Sequence, residues 1–267
     1  MFGKIKEGTL QFEDSSMHYA AFGKGSRPLV IVPGLSDGLR TIKGTGPLLW
    51  FLYRSFAREY RVWVFSRKNE LEPGISTREM ARDQAAAMDK LNITGARVMG
   101  ISQGGMISQW LAIDYPKQVE KLVLVVTLSR QNETIQKVVS NWIQLEEEER
   151  YGDLAVDTME KAYSEKALRK WRPFYWLVRR TGTPVSKERF LIQANSCITH
   201  NAYTELNKIK CPTLITGGGE DKIVGEAWVQ QEMADNIANS QLIIYPDLGH
   251  DAFTTKDFNP RALNFLR

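Results

Sequence analysis

The sequence predicts an α/β fold: a mostly parallel sheet flanked by helices, with a helical insertion between two of its strands. Three observations predict it. Continuous apolar runs such as Leu-Val-Ile-Val at 29–32 recur along the chain, as strands buried on both faces require. Helical patterns separate those runs, so strand and helix alternate in the manner of βαβ units. The alternation stops after Thr127 and resumes at Pro212, and the stretch between them reads as helix without a strand.

Taken in order, residues 9–12 alternate polar and apolar, Asp14-Ser15-Ser16 makes a turn, and 17–22 returns, which predicts an antiparallel pair. The run 28–32 stops at Pro33-Gly34. Further strands are predicted at 61–65, 96–101 and 119–127, joined by right-handed crossovers. Residues 77–91 are rich in Ala and Met behind Ser76, a good N-cap. Residues 106–115 place Trp110, Leu111 and Tyr115 at helical spacing, and Pro116 ends that helix. After the insertion come a strand at 212–216, a helix at 226–236, a strand at 241–245 and a last helix near Pro260. The organisation is a core of 1–130 and 206–267 and a helical cap, or lid, of 131–205. The acidic run 146–149 reads as a solvated helix face.

Composition narrows the function. The chain has 267 residues, 43% hydrophobic and 10% aromatic, enough apolar material to exclude wholesale disorder. A net charge of +4 demands no nucleic-acid partner. Two cysteines, Cys197 and Cys211, without CxxC exclude a disulfide scaffold and a cysteine zinc site. Three histidines without HExxH exclude a zincin, and no metal is expected. The first residues hold no apolar signal core, and no apolar run approaches the ~20 residues of a membrane span. A cytoplasmic setting is expected, in which the sequons at Asn92 and Asn132 are idle.

Gly100-Ile101-Ser102-Gln103-Gly104 fits G-x-S-x-G. The pattern is short, and its context carries it: it ends a predicted strand and opens a predicted helix, as a nucleophile elbow must. A serine hydroxyl needs an adjacent base to attack at neutral pH. His250, in Pro246-Asp-Leu-Gly-His250 just after the last strand, is the candidate; His18 and His200 read as structural or surface residues. A carboxylate must orient that base. Asp221 follows the strand 212–216, with Glu220 as the fallback, and an Asp there also suits a helix cap.

Ser, Asp and His in that chain order match the order of the α/β-hydrolases. The sequence resembles that superfamily over nearly its whole length, through VIVPGLSDG, VMGISQGGMISQWLA, DYPKQVEKLVLV, PTLITGGGEDKIV and YPDLGHDAF. Within it, the chain resembles the small esterase and enol-lactonase branch with a helical cap. The resemblance implies an eight-stranded, mostly parallel α/β-hydrolase sheet. Serine at the elbow separates it from haloalkane dehalogenases and epoxide hydrolases, which place Asp there. Some relatives carry the acid after the strand before the insertion, but Thr127-Leu-Ser-Arg130 offers no carboxylate. The oxyanion hole implied is the backbone N–H of Gln103 and that of Leu35. Relatives often read His-Gly where this chain reads Pro33-Gly34.

The reaction implied is hydrolysis of a small carboxylic ester or lactone through an acyl-enzyme, without a cofactor. C–C bond hydrolysis, thioester cleavage and acyl transfer use the same triad, and a triad-bearing ligand sensor is a second class. Gly217-Gly218-Gly219 lacks the residues of a phosphate loop. The segment 166–180 holds six basic residues and no acid among Trp171, Phe174, Tyr175 and Trp176. Such mixing also suits a nucleic-acid or membrane binder. The insertion balances eleven acids against eleven bases, however, and these rings, with Trp142, are expected to line a substrate pocket under the cap.

Overall fold

The computed structural model describes residues 5–180, 184 and 186–267. The strands are β1 (Lys6–Gln11), β2 (Ser16–Phe22), β3 (Pro28–Val32), β4 (Arg61–Lys68), β5 (Ala96–Ile101), β6 (Val119–Val125), β7 (Thr213–Gly218) and β8 (Ser240–Tyr245). The helices are α1 (Ser36–Leu39), α2 (Gly46–Leu52), α3 (Thr77–Lys90), α4 (Gln103–Asp114), α5 (Glu133–Glu147), α6 (Tyr151–Ala162), α7 (Glu165–Trp171), α8 (Tyr175–Val178), α9 (Lys187–Ile198), α10 (Ala227–Asn236) and α11 (Phe258–Leu266).

One eight-stranded sheet runs in the order β1-β2-β4-β3-β5-β6-β7-β8. β1 and β2 pair antiparallel, as do β2 and β4. All pairings from β4 to β8 are parallel. The two-residue period of the strands divides the core into two layers. Val30, Val32, Val98 and Leu122 face an apolar cluster shared with α3 and α4. Leu29, Ile31, Met99 and Val123 face the opposite cluster, which α11 closes through Phe258, Ala262 and Leu266. Strands covered on both sides need apolar residues at successive positions, which explains the continuous runs in the sequence.

Helix α3 starts where its cap predicts. Ser76 Oγ accepts from Glu79 N, and the Glu79 carboxylate accepts from Ser76 N, a reciprocal capping box. Helix α4 begins three residues earlier than the apolar spacing suggests, immediately after Ser102. Helices α1 and α2 have no counterpart in the sequence reading. They are four and seven residues long, too short for a helical period to register.

Between β6 and β7 the described residues form helices and no strand. The two ends of this insertion are pinched together by an antiparallel bridge between Arg130 and Asn201. Ala202 N donates to Ser129 O and Gln131 N to His200 O across it. Inside, α5 packs along α9, and Trp142, Ile135, Val139, Leu154, Phe190 and Ala194 share one apolar cluster. The acidic run departs from its expected solvated face at one position. Glu146 is fully buried, neither of its oxygens has a partner among the described residues, and burial pushes its carboxyl pKa up. Of the run, only Glu146 and Glu147 belong to α5, and Glu146 follows Val139 and Trp142 at seven and four residues on the helix's buried face.

Candidate active site

The parallel strands β3, β5, β7 and β8 all end at the same edge of the sheet, and the loops leaving that edge carry the residues of interest. β3 and β5 are direct neighbours, and β7 and β8 lie on the far side of β6. With strands ~4.8 Å apart, the ends of β5 and β8 lie roughly 14 Å apart, so residues carried at those ends can approach one another only through the loops that leave the strands.

Ser102 occupies the turn between β5 and α4 with φ 54° and ψ −121°. An L-residue avoids this region, and holding one there costs on the order of 1–3 kcal/mol. The surroundings enforce it. Ser102 N donates to Val125 O of β6 (2.9 Å), and Ser102 O accepts from Thr127 Oγ1 (2.8 Å) and Gly105 N (2.8 Å). A Cβ on Gly104 would lie 1.9 Å from Val32 O, so only glycine lets α4 approach the end of β3. Gly34 passes close enough that a Cβ there would sit 3.2 Å from the Ser102 Cβ. The loop after β3 thus brushes the serine, with Leu35 the next residue along. Gln103 is the first residue of α4, and a helix leaves its first N–H groups without an intrahelical acceptor.

His250 and Asp221 form a pair: Nδ1 lies 2.7 Å from Oδ2. Asp221 is 1% exposed and His250 is half-buried. A carboxylate only accepts, so this contact places the imidazole proton on Nδ1 and leaves the Nε2 lone pair available. The second oxygen of Asp221 accepts from Ile223 N (2.9 Å) and Val224 N (3.1 Å). Pairing with a histidine and capping a turn are therefore compatible, one oxygen for each. Glu220, the fallback acid, donates its backbone N–H to Leu248 O. Asp251, beside His250, has its carboxyl pKa raised by burial and accepts from Gly249 N.

The other two histidines are engaged elsewhere. His200 Nδ1 lies 2.8 Å from Thr77 Oγ1, its ring meets Trp110 edge-on, and burial depresses its pKa to about 3. His18 sits between Thr9 and Asn69 in the first hairpin.

The insertion touches this site from two sides. The end of α6 meets the His250 loop, where Asp251 N donates to Ala162 O (3.0 Å). Helix α9 packs on α1, just after Leu35. Between α5, α6 and the loop after β7 lies an open cleft of about 1000 Å³, with Val138, Asn141, Lys161, Trp228 and Asp221 among its walls. Ser102 and His250 are not among them, so this cleft reaches the acid but not the serine.

The aromatic residues of the insertion divide. Trp142 is buried in the cluster against which Leu35 packs, and its Nε1 donates to Asp157 Oδ2. Tyr175 is half-buried and donates to Glu160. Trp171, Phe174 and Trp176, expected to line a pocket, are instead 47%, 52% and 59% exposed. Helices α7 and α8 have seven and four residues and are split by Pro173, too short to bury a continuous apolar face; in α7 only Leu168 is buried. Among the described residues no group of three or more His, Cys, Asp or Glu is placed to hold a metal. Among them, no helix is long and apolar enough to cross a membrane.

The sequence reading missed Arg67, Asp37 and Gln193, all buried and hydrogen-bonded around the Gln103 side chain and the loop after β3. Their one visible signal is position: charged or amide residues directly at the ends of apolar segments.

The site thus holds a strained serine between a parallel strand and a helix, and a His–Asp pair carried on loops that leave the same sheet edge. The chain belongs to the α/β-hydrolase fold family, whose profile matches residues 27–257. It is similar to a putative non-heme bromoperoxidase, BpoC, of Mycobacterium tuberculosis, with 26% identity over 78% of this chain and 81% of the relative. Among solved structures it is similar to MGS-M2, an alpha/beta hydrolase enzyme from a Medee basin deep-sea metagenome library. There the TM-score is 0.85 at 19% identity, covering 97% of this chain and 96% of the other. The enol-lactonase from Burkholderia xenovorans LB400 superposes with a TM-score of 0.80 at 18% identity, covering 97% and 99%.

Proposed function

We propose that the protein is a serine hydrolase that cleaves a small carboxylic ester or lactone, with residues 131–205 as a cap over the site. The observation that carries this reading is the 2.7 Å contact between His250 Nδ1 and a buried Asp221, at the sheet edge where Ser102 is held in a strained turn. Neither feature serves stability: the turn stores strain, and the imidazole is tethered with its Nε2 uncommitted.

In this mechanism Ser102 Oγ attacks the substrate carbonyl carbon while His250 Nε2 takes its proton. The carbonyl π pair moves onto oxygen, and the resulting oxyanion accepts from the backbone N–H groups of Leu35 and Gln103. The C–O bond to the leaving alcohol breaks as His250 returns its proton to that oxygen. Water, deprotonated by His250, then attacks the acyl-enzyme, and collapse releases the acid and restores Ser102. Asp221 remains ionised and stabilises the imidazolium between transfers. We assign Trp142 a role in shaping the acyl site, supported by its burial in the cluster against which Leu35 packs. The similarity to an enol-lactonase favours lactones among the candidate substrates.

The test is turnover of a panel of p-nitrophenyl esters and small lactones by the wild type and Ser102→Ala. The reading predicts wild-type turnover and a loss of roughly 10⁴- to 10⁶-fold in the variant. Saturable substrate binding without turnover in the wild type would identify a sensor instead.

A further inference from the structure

We propose that Arg67 is a positioning residue that fixes the spacing between the two backbone donors of the oxyanion hole. The inference rests on the hydrolase reading above and assigns a role that reading leaves open.

Arg67 lies near the end of β4 and is 1% exposed. A single nitrogen, Nη2, donates to Pro33 O (2.5 Å) and to Gln103 Oε1 (2.9 Å). Pro33 precedes Leu35 by two residues in the loop that carries one donor, and Gln103 carries the other. The guanidinium therefore joins the two arms of the hole directly. The Gln103 amide is fixed at its other end as well, where Nε2 donates to Gln193 O (2.8 Å) and Ser196 Oγ (3.0 Å) on α9. The same loop is held a second time through Asp37, whose Oδ2 accepts from Arg67 N (3.0 Å) and Arg189 Nη2 (2.6 Å).

Stability does not account for this arrangement. The Arg67 guanidinium bonds neutral oxygens, and its Nε and Nη1 have no partner among the described residues. The Asp37 carboxylate takes Arg189, so two buried guanidinium groups face one carboxylate and a positive charge is left over. Burying a charge without a directly paired counter-charge is costly, and an apolar side chain of similar volume is often neutral or stabilising at such a place. What Arg67 supplies is geometry: a two-point clasp on the segments whose N–H groups must converge on one oxygen. Oxyanion donors act only when held at hydrogen-bond distance from the position the developing charge will occupy. The surplus charge also favours a negative oxygen over a neutral carbonyl, so its effect falls on the transition state.

The experiment compares wild type, Arg67→Lys and Arg67→Met on one p-nitrophenyl ester. It reads kcat and KM separately, together with the Ki of a trifluoromethyl ketone whose serine adduct places an oxyanion in the hole. Arg67→Met should lower kcat about 100-fold, the scale of a lost oxyanion donor, with KM changed less than about threefold and Ki raised in proportion to the loss in kcat/KM. Arg67→Lys keeps the charge on a shorter, more flexible stem that holds a single donor nitrogen less firmly at both oxygens, and should fall between the two. Circular dichroism and cooperative melting establish that each variant is folded, and if Arg67→Met does not fold, Arg67→Lys decides. A folded Arg67→Met or Arg67→Lys with wild-type kcat and Ki overturns the proposal. So does a rise in KM without a fall in kcat. Turnover that does not depend on Ser102 overturns the hydrolase reading itself, and the oxyanion role of Arg67 with it.

Discussion

At the scale of single residues, Asp221 shows how one side chain serves two purposes that can be separated. One oxygen holds His250 and the other caps Ile223 and Val224. Asp221→Asn keeps an acceptor for the cap but supports the wrong imidazole tautomer. It should lower turnover by about 10⁴-fold while leaving the melting temperature nearly unchanged. Asp221→Ala removes both functions and should cost a further ~1 kcal/mol in denaturant unfolding, the usual worth of a cap. Glu220→Gln should be close to wild type in both measurements, and a crippled Glu220→Gln beside an active Asp221→Asn would move the acid by one residue. The sequence pointed to Ser102, Asp221 and His250 because each stands just after an apolar run, and parallel strands bring such positions to one edge; the structure pairs His250 with Asp221 and strains the turn at Ser102. Arg67 and Asp37 were not legible. Nothing in a sequence distinguishes a charged residue that ends a strand in solvent from one that turns inward to clasp a loop.

At the scale of elements, the elbow depends on a close approach that only a missing side chain permits. Gly104→Ala places a methyl group against the carbonyls of Val32 and Pro33, backbone atoms that cannot rotate away. It should destabilise the protein by at least ~2 kcal/mol, as overpacking does, and depress turnover further by displacing the loop that carries Leu35. Chemical denaturation and ester kinetics on the same preparation check both. The insertion supplies a contrast. Trp142→Ala empties a buried site and should cost ~3–5 kcal/mol. Trp171→Ala and Trp176→Ala remove half-exposed rings and should stay within about 0.5 kcal/mol of wild type by the same assay. Helical character was readable across 131–205, but the direction of each ring was not. Short helices broken at Pro173 have no sustained period from which an inward face can be deduced.

At the scale of the whole molecule, the insertion is tied to the core at its neck, and the neck contains a titratable group. His200 bonds Thr77 of α3, lies against Trp110 of α4 and accepts the Gln131 N–H through its backbone carbonyl. Burial holds its pKa near about 3 in the folded state, against 6.5 when unfolded. The unfolded chain therefore binds the proton more readily between those values, and stability rises with pH across that window. The contribution is complete above pH 6.5 and is lost progressively as pH falls toward 3. His200→Gln, which keeps a hydrogen-bonding side chain without the titration, should lose less stability than the wild type between pH 7 and pH 4. The difference in urea unfolding should be on the order of 3 kcal/mol. Equal losses in the two proteins would mean that His200 is accessible to protons in the fold.

The alternation of apolar runs with helical patterns sufficed to read the sheet and its connections, since both signals extend over many residues. The central claim, that this sheet edge presents an activated serine, is tested most directly by covalent labelling. Purified protein is treated with a fluorophosphonate, and the adduct is mapped by peptide mass spectrometry in the wild type, Asp221→Asn and Ser102→Ala. Ser102 should carry one stoichiometric adduct in the wild type, form it far more slowly in Asp221→Asn, and leave the Ser102→Ala protein unlabelled. An adduct at any other serine, or labelling of Ser102 at the same rate with Asp221 replaced, would contradict the account.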